Sequence, residues 1–152
     1  MNSGQAYVYD ATVPADTPPG LHWYHQHVHG LSELGLLGGA SGPLVVAGVE
    51  AAAPVLAGLP ERVMVFRDNF ASNYSANPPS YPTVPTWDVS LNHIPIPYPS
   101  YPTVGVPMRP GAVEAWRMVN AGADTLMNIS ILYDGVPQPL LASCNSSAVL
   151  GK

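Results

Sequence analysis

Apolar and polar residues alternate in several short stretches of this chain, and a period of two is typical of a β-strand with one buried face. Alternation or short apolar runs predict strands at residues 6–12, 21–28, 43–47, 62–68, 86–92, 112–120 and 126–133. Asp134 and Gly135, which follow the last of these, are a strong hairpin signal. No convincing run repeats at helical spacing, so we predict an all-β, sandwich-like chain without an amphipathic helix.

The connecting segments are rich in proline and glycine, which number 18 and 14 among 152 residues. We predict a first unit over residues 1–48, an alanine-rich linker over 49–61 and a second unit over 62–152. Residues 30–42 and 69–85 are predicted to be loops. A Pro-Ser-Tyr-Pro-Thr-Val segment at 79–84 recurs at 99–104, and we interpret it as a chance repeat in loops rather than a docking motif.

Composition excludes several classes of partner. The net charge is −5 with only five basic residues, too few to neutralise a nucleic-acid backbone. The longest apolar stretch, residues 42–60, is interrupted by Glu50 and Pro54, so we predict no membrane span and no membrane partner. Cys144 is the one cysteine and indicates no compartment. The first five residues lack the pattern of a secretory signal peptide. For a full-length protein we nevertheless expect secretion or a periplasmic location.

Four of the five histidines lie between residues 22 and 29, and three of them, His25, His27 and His29, repeat every second residue. On a strand their side chains would share one face at intervals of roughly 6.5–7 Å. Neutral imidazole is the commonest protein ligand for transition metals. This histidine row, as we call these three residues, therefore predicts a metal site.

Two mononuclear sites are alternatives. A zinc site would combine a His-x-His pair with His93 as a distant third ligand. A cupin-like site would use His27, His29, Glu33 and Gly39 at nearly the spacing of that motif, but no later histidine supplies its last ligand. His93 stands in a proline-rich loop, which is a poor rigid platform for the zinc ligand, so each alternative is weakest at its last ligand.

A family resemblance fits the residues better. Gly-Leu-His-Trp-Tyr-His-Gln-His at 20–27, the glycine-rich loop after it and Gly-Pro-Leu-Val-Val at 42–46 resemble the end of the first cupredoxin-like domain of multicopper oxidases such as laccases. A looser resemblance to the second domain of that family continues through residues 62–68, 87–92, 109–111, 116–121 and 134–135. The resemblance implies cupredoxin-like Greek-key β-sandwich domains, the first incomplete within residues 1–48 and the second truncated within 62–152.

The resemblance also implies a copper cofactor and a role for two histidines. His25 and His27 would each ligate one copper of a type 3 pair, in a trinuclear site that reduces dioxygen to water while a phenol-like or metal-ion donor is oxidised. His29 has no settled ligand role in the motif, and a structural role is favoured over one in orienting a ligand. His22 faces the opposite side of the predicted strand and is not expected to bind metal.

The family requires ligands that this sequence does not contain. Its trinuclear site takes four His-x-His pairs, of which one is present, and its type 1 copper needs a cysteine with two histidines. Cys144 is followed by Asn145, and no histidine occurs after His93. We therefore expect a piece of a larger oxidase that depends on the missing domains of the same protein and has no oxidase activity alone. A non-catalytic copper-binding or interaction module is the alternative.

Overall fold

The computed structural model describes residues 4–68, 88–138, 141–143 and 147–149, with side chains described up to residue 138. This part of the chain is mostly strands, which confirms the all-β class. The strands are β1 Gly20–His25, β2 Ser41–Val46, β3 Glu61–Asp68, β4 Val89–Leu91, β5 Ile94–Ile96, β6 Ala115–Asn120, β7 Ile131–Tyr133, β8 Val136–Gln138, β9 Leu141–Ser143 and β10 Ser147–Val149. One α-helix, α1, spans Ser32–Leu37, and 3-10 helices span Val49–Ala51 and Pro54–Leu56. No helix among these residues is long and apolar enough to cross a membrane.

The largest sheet has six strands in the order β5-β4-β3-β6-β10-β9. Its central strands, β3 and β6, run parallel, and the other neighbours are antiparallel. One face carries a buried core of Met64, Phe66, Leu91 and Trp116. Side chains from the segments after β5, among them Ile131 of β7, pack against this core, so the alternation in β3 and β6 buries one side of the sheet.

The opposite face of the large sheet is covered by the segment that contains the two 3-10 helices. Val49 and Leu56, one in each 3-10 helix, form a second buried cluster with Ala115 of β6. Ala115 precedes Trp116 in the strand, so the two side chains lie on opposite faces of the sheet. The segment predicted as a linker, residues 49–61, thus packs its apolar side chains against β6.

The first two strands form a separate two-stranded sheet. β1 pairs with β2 in a register that runs from Gly20 opposite Val46 to His25 opposite Ser41. The exposed fractions of Trp23, Tyr24 and Leu44 in this pair are 42, 60 and 43 %. Both surfaces of the β1–β2 pair therefore carry large apolar groups in contact with solvent.

The hairpin signal near the C-terminal end is confirmed. β7 and β8 pair directly across Asp134 and Gly135, whose φ angles are 48° and 79°. A two-residue type I′ turn requires positive φ at both central residues, and Asp-Gly is a favoured pair for it.

Six predictions about secondary structure are wrong or too long. Residues 6–12 form no strand; Tyr7, Val8 and Tyr9 are 66, 85 and 84 % exposed, because no neighbouring strand among the described residues pairs with them. The histidine strand ends at His25, and α1 occupies the predicted glycine-rich loop. The described residues of the segments 86–92, 112–120 and 126–133 contain strands only at 89–91, 115–120 and 131–133.

Some predictions lie outside the described residues. These are the loop at 69–85, the first copy of the repeat at 79–84 and Cys144. The second copy, at 99–104, is described and contains no strand.

Candidate functional site

The Trp23 ring and the three imidazoles of the histidine row lie next to one another in sequence order on the molecular surface. The Trp23 ring stacks on His25 with centroids 4.4 Å apart and planes inclined by 20°. The His25 and His27 centroids are 5.6 Å apart, and those of His27 and His29 are 5.7 Å apart. The three imidazoles therefore lie close together, although only His25 belongs to a strand.

The strand ends at His25 because Gln26 redirects the chain. The Gln26 backbone N–H donates to Ala40 at 3.2 Å, while its side-chain amide donates to the carbonyls of Leu31 and Ser32 at 2.7 and 3.1 Å. Its side-chain oxygen accepts the Val28 N–H at 3.1 Å. One glutamine side chain thus closes the turn that carries His27 and His29, a role that the sequence analysis missed.

Hydrogen bonds distinguish His25 from His22. Nδ1 of His25 donates to the Gln26 carbonyl at 2.9 Å, which leaves Nε2 with its lone pair in the neutral ring. Ligating histidines commonly donate their second nitrogen to such a carbonyl. His22 instead donates from Nε2 to the Pro18 carbonyl at 2.9 Å, within its own turn. The prediction that His22 is not a ligand is consistent with this bond.

The histidine row fits part of a copper site. Imidazole nitrogen is a suitable donor for copper, and His27 and His29 are exposed while His25 is half-buried. Among the residues that the structure describes, no group of three or more His, Cys, Asp or Glu side chains is placed to hold a metal ion. His93 lies in the turn between β4 and β5, with φ of 68°, and does not join the row in such a group. A complete ligand set would need further donors.

A cleft of about 470 Å³ separates the β1–β2 pair from the large sheet. Tyr24, Ser41 and Pro43 line one side of it, and residues of β3 and of the β4–β5 turn line the other (Val63, Val65, Arg67, Asn92 and His93). Asn92 is held in place by β3, because its amide accepts the Val65 N–H at 2.8 Å and donates to the Val63 carbonyl at 3.0 Å.

Arg67 connects the two sides of this cleft. Its Nη1 donates to Ser41 Oγ at 2.5 Å and its Nη2 donates to the Ser41 carbonyl. Ser41 Oγ in turn donates to the Ala121 carbonyl at 2.8 Å. These contacts anchor the end of the β1–β2 pair, where His25 lies opposite Ser41, to the large sheet.

Comparisons with protein-family models, curated proteins and solved structures found no match to this chain. The residues of the histidine row and the motif around it therefore carry the functional assignment.

Proposed function

We propose that this chain is a segment of a laccase-like multicopper oxidase in which His25 and His27 each ligate one copper of a type 3 pair. The observation that carries the proposal is the pair of adjacent imidazoles, 5.6 Å apart, within the Trp-Tyr-His-Gln-His motif. The corresponding fold would be two cupredoxin-like Greek-key β-sandwiches, one incomplete within residues 1–48 and one truncated within 62–152. Several packed strands of an all-β chain support that assignment.

The chain's own residues would hold and orient the two rings. Trp23 stacks on one side of His25, and the Gln26 carbonyl fixes which nitrogen carries its hydrogen. Gln26 also closes the turn that presents His27. When bound, a copper cluster of this kind supplies the redox chemistry that couples oxidation of a donor to reduction of dioxygen.

The remaining ligands would come from other domains of the same protein. The described residues assemble no group of three potential ligands, and the sequence contains a single His-x-His pair of the kind the family uses in its trinuclear site. We therefore expect copper binding by this chain to be weak and oxidation of a phenolic donor to be absent.

Copper titration of single-residue variants tests the ligand assignment. His25→Ala and His27→Ala should each weaken Cu²⁺ binding at least tenfold in isothermal titration calorimetry. His22→Ala is the matched control, because its ring is bonded to Pro18, and it should change the affinity less than twofold. Unchanged affinity in both ligand variants would refute the assignment, and rapid oxygen consumption with a phenolic donor would refute the partial-site interpretation.

A non-catalytic copper-binding module is the second candidate, favoured by the solvent exposure of His27 and His29. The reading frame on either side of this chain discriminates the two. Further His-x-His pairs upstream and a His-Cys-His segment downstream would establish the oxidase, whereas their absence would establish the module. Preference for Zn²⁺ over Cu²⁺ in the same titration would instead support a mononuclear zinc site.

A further inference from the structure

Arg67 is a half-buried cation whose hydrogen bonds within the described part of the chain are all with neutral groups. Two other arginines in the described residues have carboxylate partners: Arg62 pairs with Glu114 at 2.8 Å, and Arg117 pairs with Glu61. Among the described residues, the guanidinium of Arg67 donates to the hydroxyl and the carbonyl of Ser41. Within the part of the chain that the structure describes, Arg67 thus lacks a carboxylate partner, whereas Arg62 and Arg117 each have one.

The surroundings of Arg67 can accommodate a ligand. A guanidinium has five N–H donors, and the contacts with Ser41 take two of them. Arg67 lines the 470 Å³ cleft, beside Val63 and Val65 on the sheet and opposite Tyr24 and Pro43. Pockets for small organic molecules have volumes of roughly 300–1,000 Å³ and combine apolar walls with a few polar groups.

The cleft is distinct from the histidine row. Tyr24 precedes His25 in β1, so the two side chains point to opposite faces of the β1–β2 pair. The Tyr24 ring lies over Gly42, where a β-carbon would come within 2.6 Å of the tyrosine oxygen. No member of the row lines the cleft, and a ligand there would need no copper.

We propose that this cleft binds a small organic monocarboxylate, with the carboxylate on Arg67 and the apolar part between the valines and the Tyr24 ring. Arg67 is the one Lys or Arg among the residues that line the cleft, so a single negative charge matches it. Guanidinium and carboxylate form paired, charge-assisted hydrogen bonds. Such a ligand would supply the counter-charge that the protein's described residues do not.

Benzoate is a suitable probe, with benzamide as its uncharged analogue. In NMR titrations of the metal-free protein, benzoate should shift the methyl signals of Val63 and Val65 saturably and leave those of the exposed Val113 unchanged. Benzamide should bind at least tenfold more weakly. Equal affinity for the two probes, or no saturable shift with benzoate, would overturn the proposal.

Three arginine variants extend the test. Arg67→Met should abolish the preference for benzoate, while Arg109→Met, which removes the same charge at an exposed turn, should retain it. Because Arg67→Met also removes the contacts with Ser41, Arg67→Lys provides a variant that keeps the charge; it should still prefer benzoate over benzamide. Loss of the preference in Arg109→Met to the same extent would refute a specific site. None of the variants replaces a residue of the histidine row, and the probe titration uses the metal-free protein, so its outcome is distinguishable from that of the copper titration.

Discussion

The side chain of Gln26 lies directly against the α-carbon of Gly35 in α1. A β-carbon at Gly35 would stand 2.7 Å from Cδ and 2.8 Å from Cγ of Gln26, distances that carbon atoms do not reach without displacement. Since the same glutamine amide holds the carbonyls of Leu31 and Ser32, the absence of a side chain at residue 35 permits the turn that carries His27 and His29.

Gly35→Ala is therefore expected to displace Gln26 and to disorganise the histidine row. The copper affinity of the variant should fall at least fivefold in calorimetric titration, while the large sheet stays folded. Gly105→Ala is the matched control, because a β-carbon there has no atom within 4 Å, and it should bind copper like the unmodified chain. Equal affinities in the two variants would show that Gln26 does not organise the site.

Features set by neighbouring residues were predictable from the sequence. The Asp134–Gly135 turn needs only two residues that tolerate positive φ. The alternation of apolar and polar residues in β3 likewise identified a strand whose two faces differ in burial. Each of these depends on local chain geometry, which sequence patterns report directly.

Features set by distant partners were not predictable. Nothing local to residues 49–61 shows that Val49 and Leu56 meet Ala115, and nothing near Arg67 indicates Ser41 as its partner. The prediction of a strand at residues 6–12 was wrong because it also depended on a distant partner: alternation alone does not provide a neighbouring strand to pair with. Gln26 was missed because its partners are backbone carbonyls, which no side-chain motif marks.

Asp68 provides a stability prediction, because its side chain is fully buried. Its carboxylate accepts the backbone N–H groups of Ala123, Asp124 and Thr125 at 2.7, 2.7 and 2.9 Å. Asp68→Asn replaces one acceptor oxygen with an NH₂ group and leaves buried donors unpaired, which should lower the free energy of unfolding by about 3 kcal/mol. Urea denaturation measures this change. The exposed turn substitution Asp134→Asn should change it by less than about 0.5 kcal/mol, and equal effects would contradict the assigned role of Asp68.

Glu114 gives a prediction about pH. Hydrogen bonds from Arg62 and Trp116 lower the pKa of Glu114 from 4.5 to about 2. Since the folded-state pKa lies below the unfolded value, this carboxylate stabilises the fold above pH 4.5, and its contribution is lost as the pH falls towards 2. Glu114→Gln should therefore be less stable than the unmodified chain at pH 6, with the difference shrinking between pH 4.5 and 2.5. Denaturation curves at several pH values test this, with the exposed Glu33→Gln as control; a difference independent of pH would contradict it.

Trp23 should report copper binding optically, because its ring stacks on His25 at 4.4 Å. Cu²⁺ bound to that imidazole would lie close enough to the indole to quench its fluorescence, whereas Trp116 is buried in the core of the large sheet. With the third tryptophan removed by Trp87→Phe, Trp23→Phe should therefore abolish most of the copper-dependent quenching while calorimetry still detects binding, since phenylalanine preserves an aromatic contact with His25. His25→Ala should reduce both signals together. Undiminished quenching in Trp23→Phe would place the bound copper away from His25 and would contradict the proposed ligand.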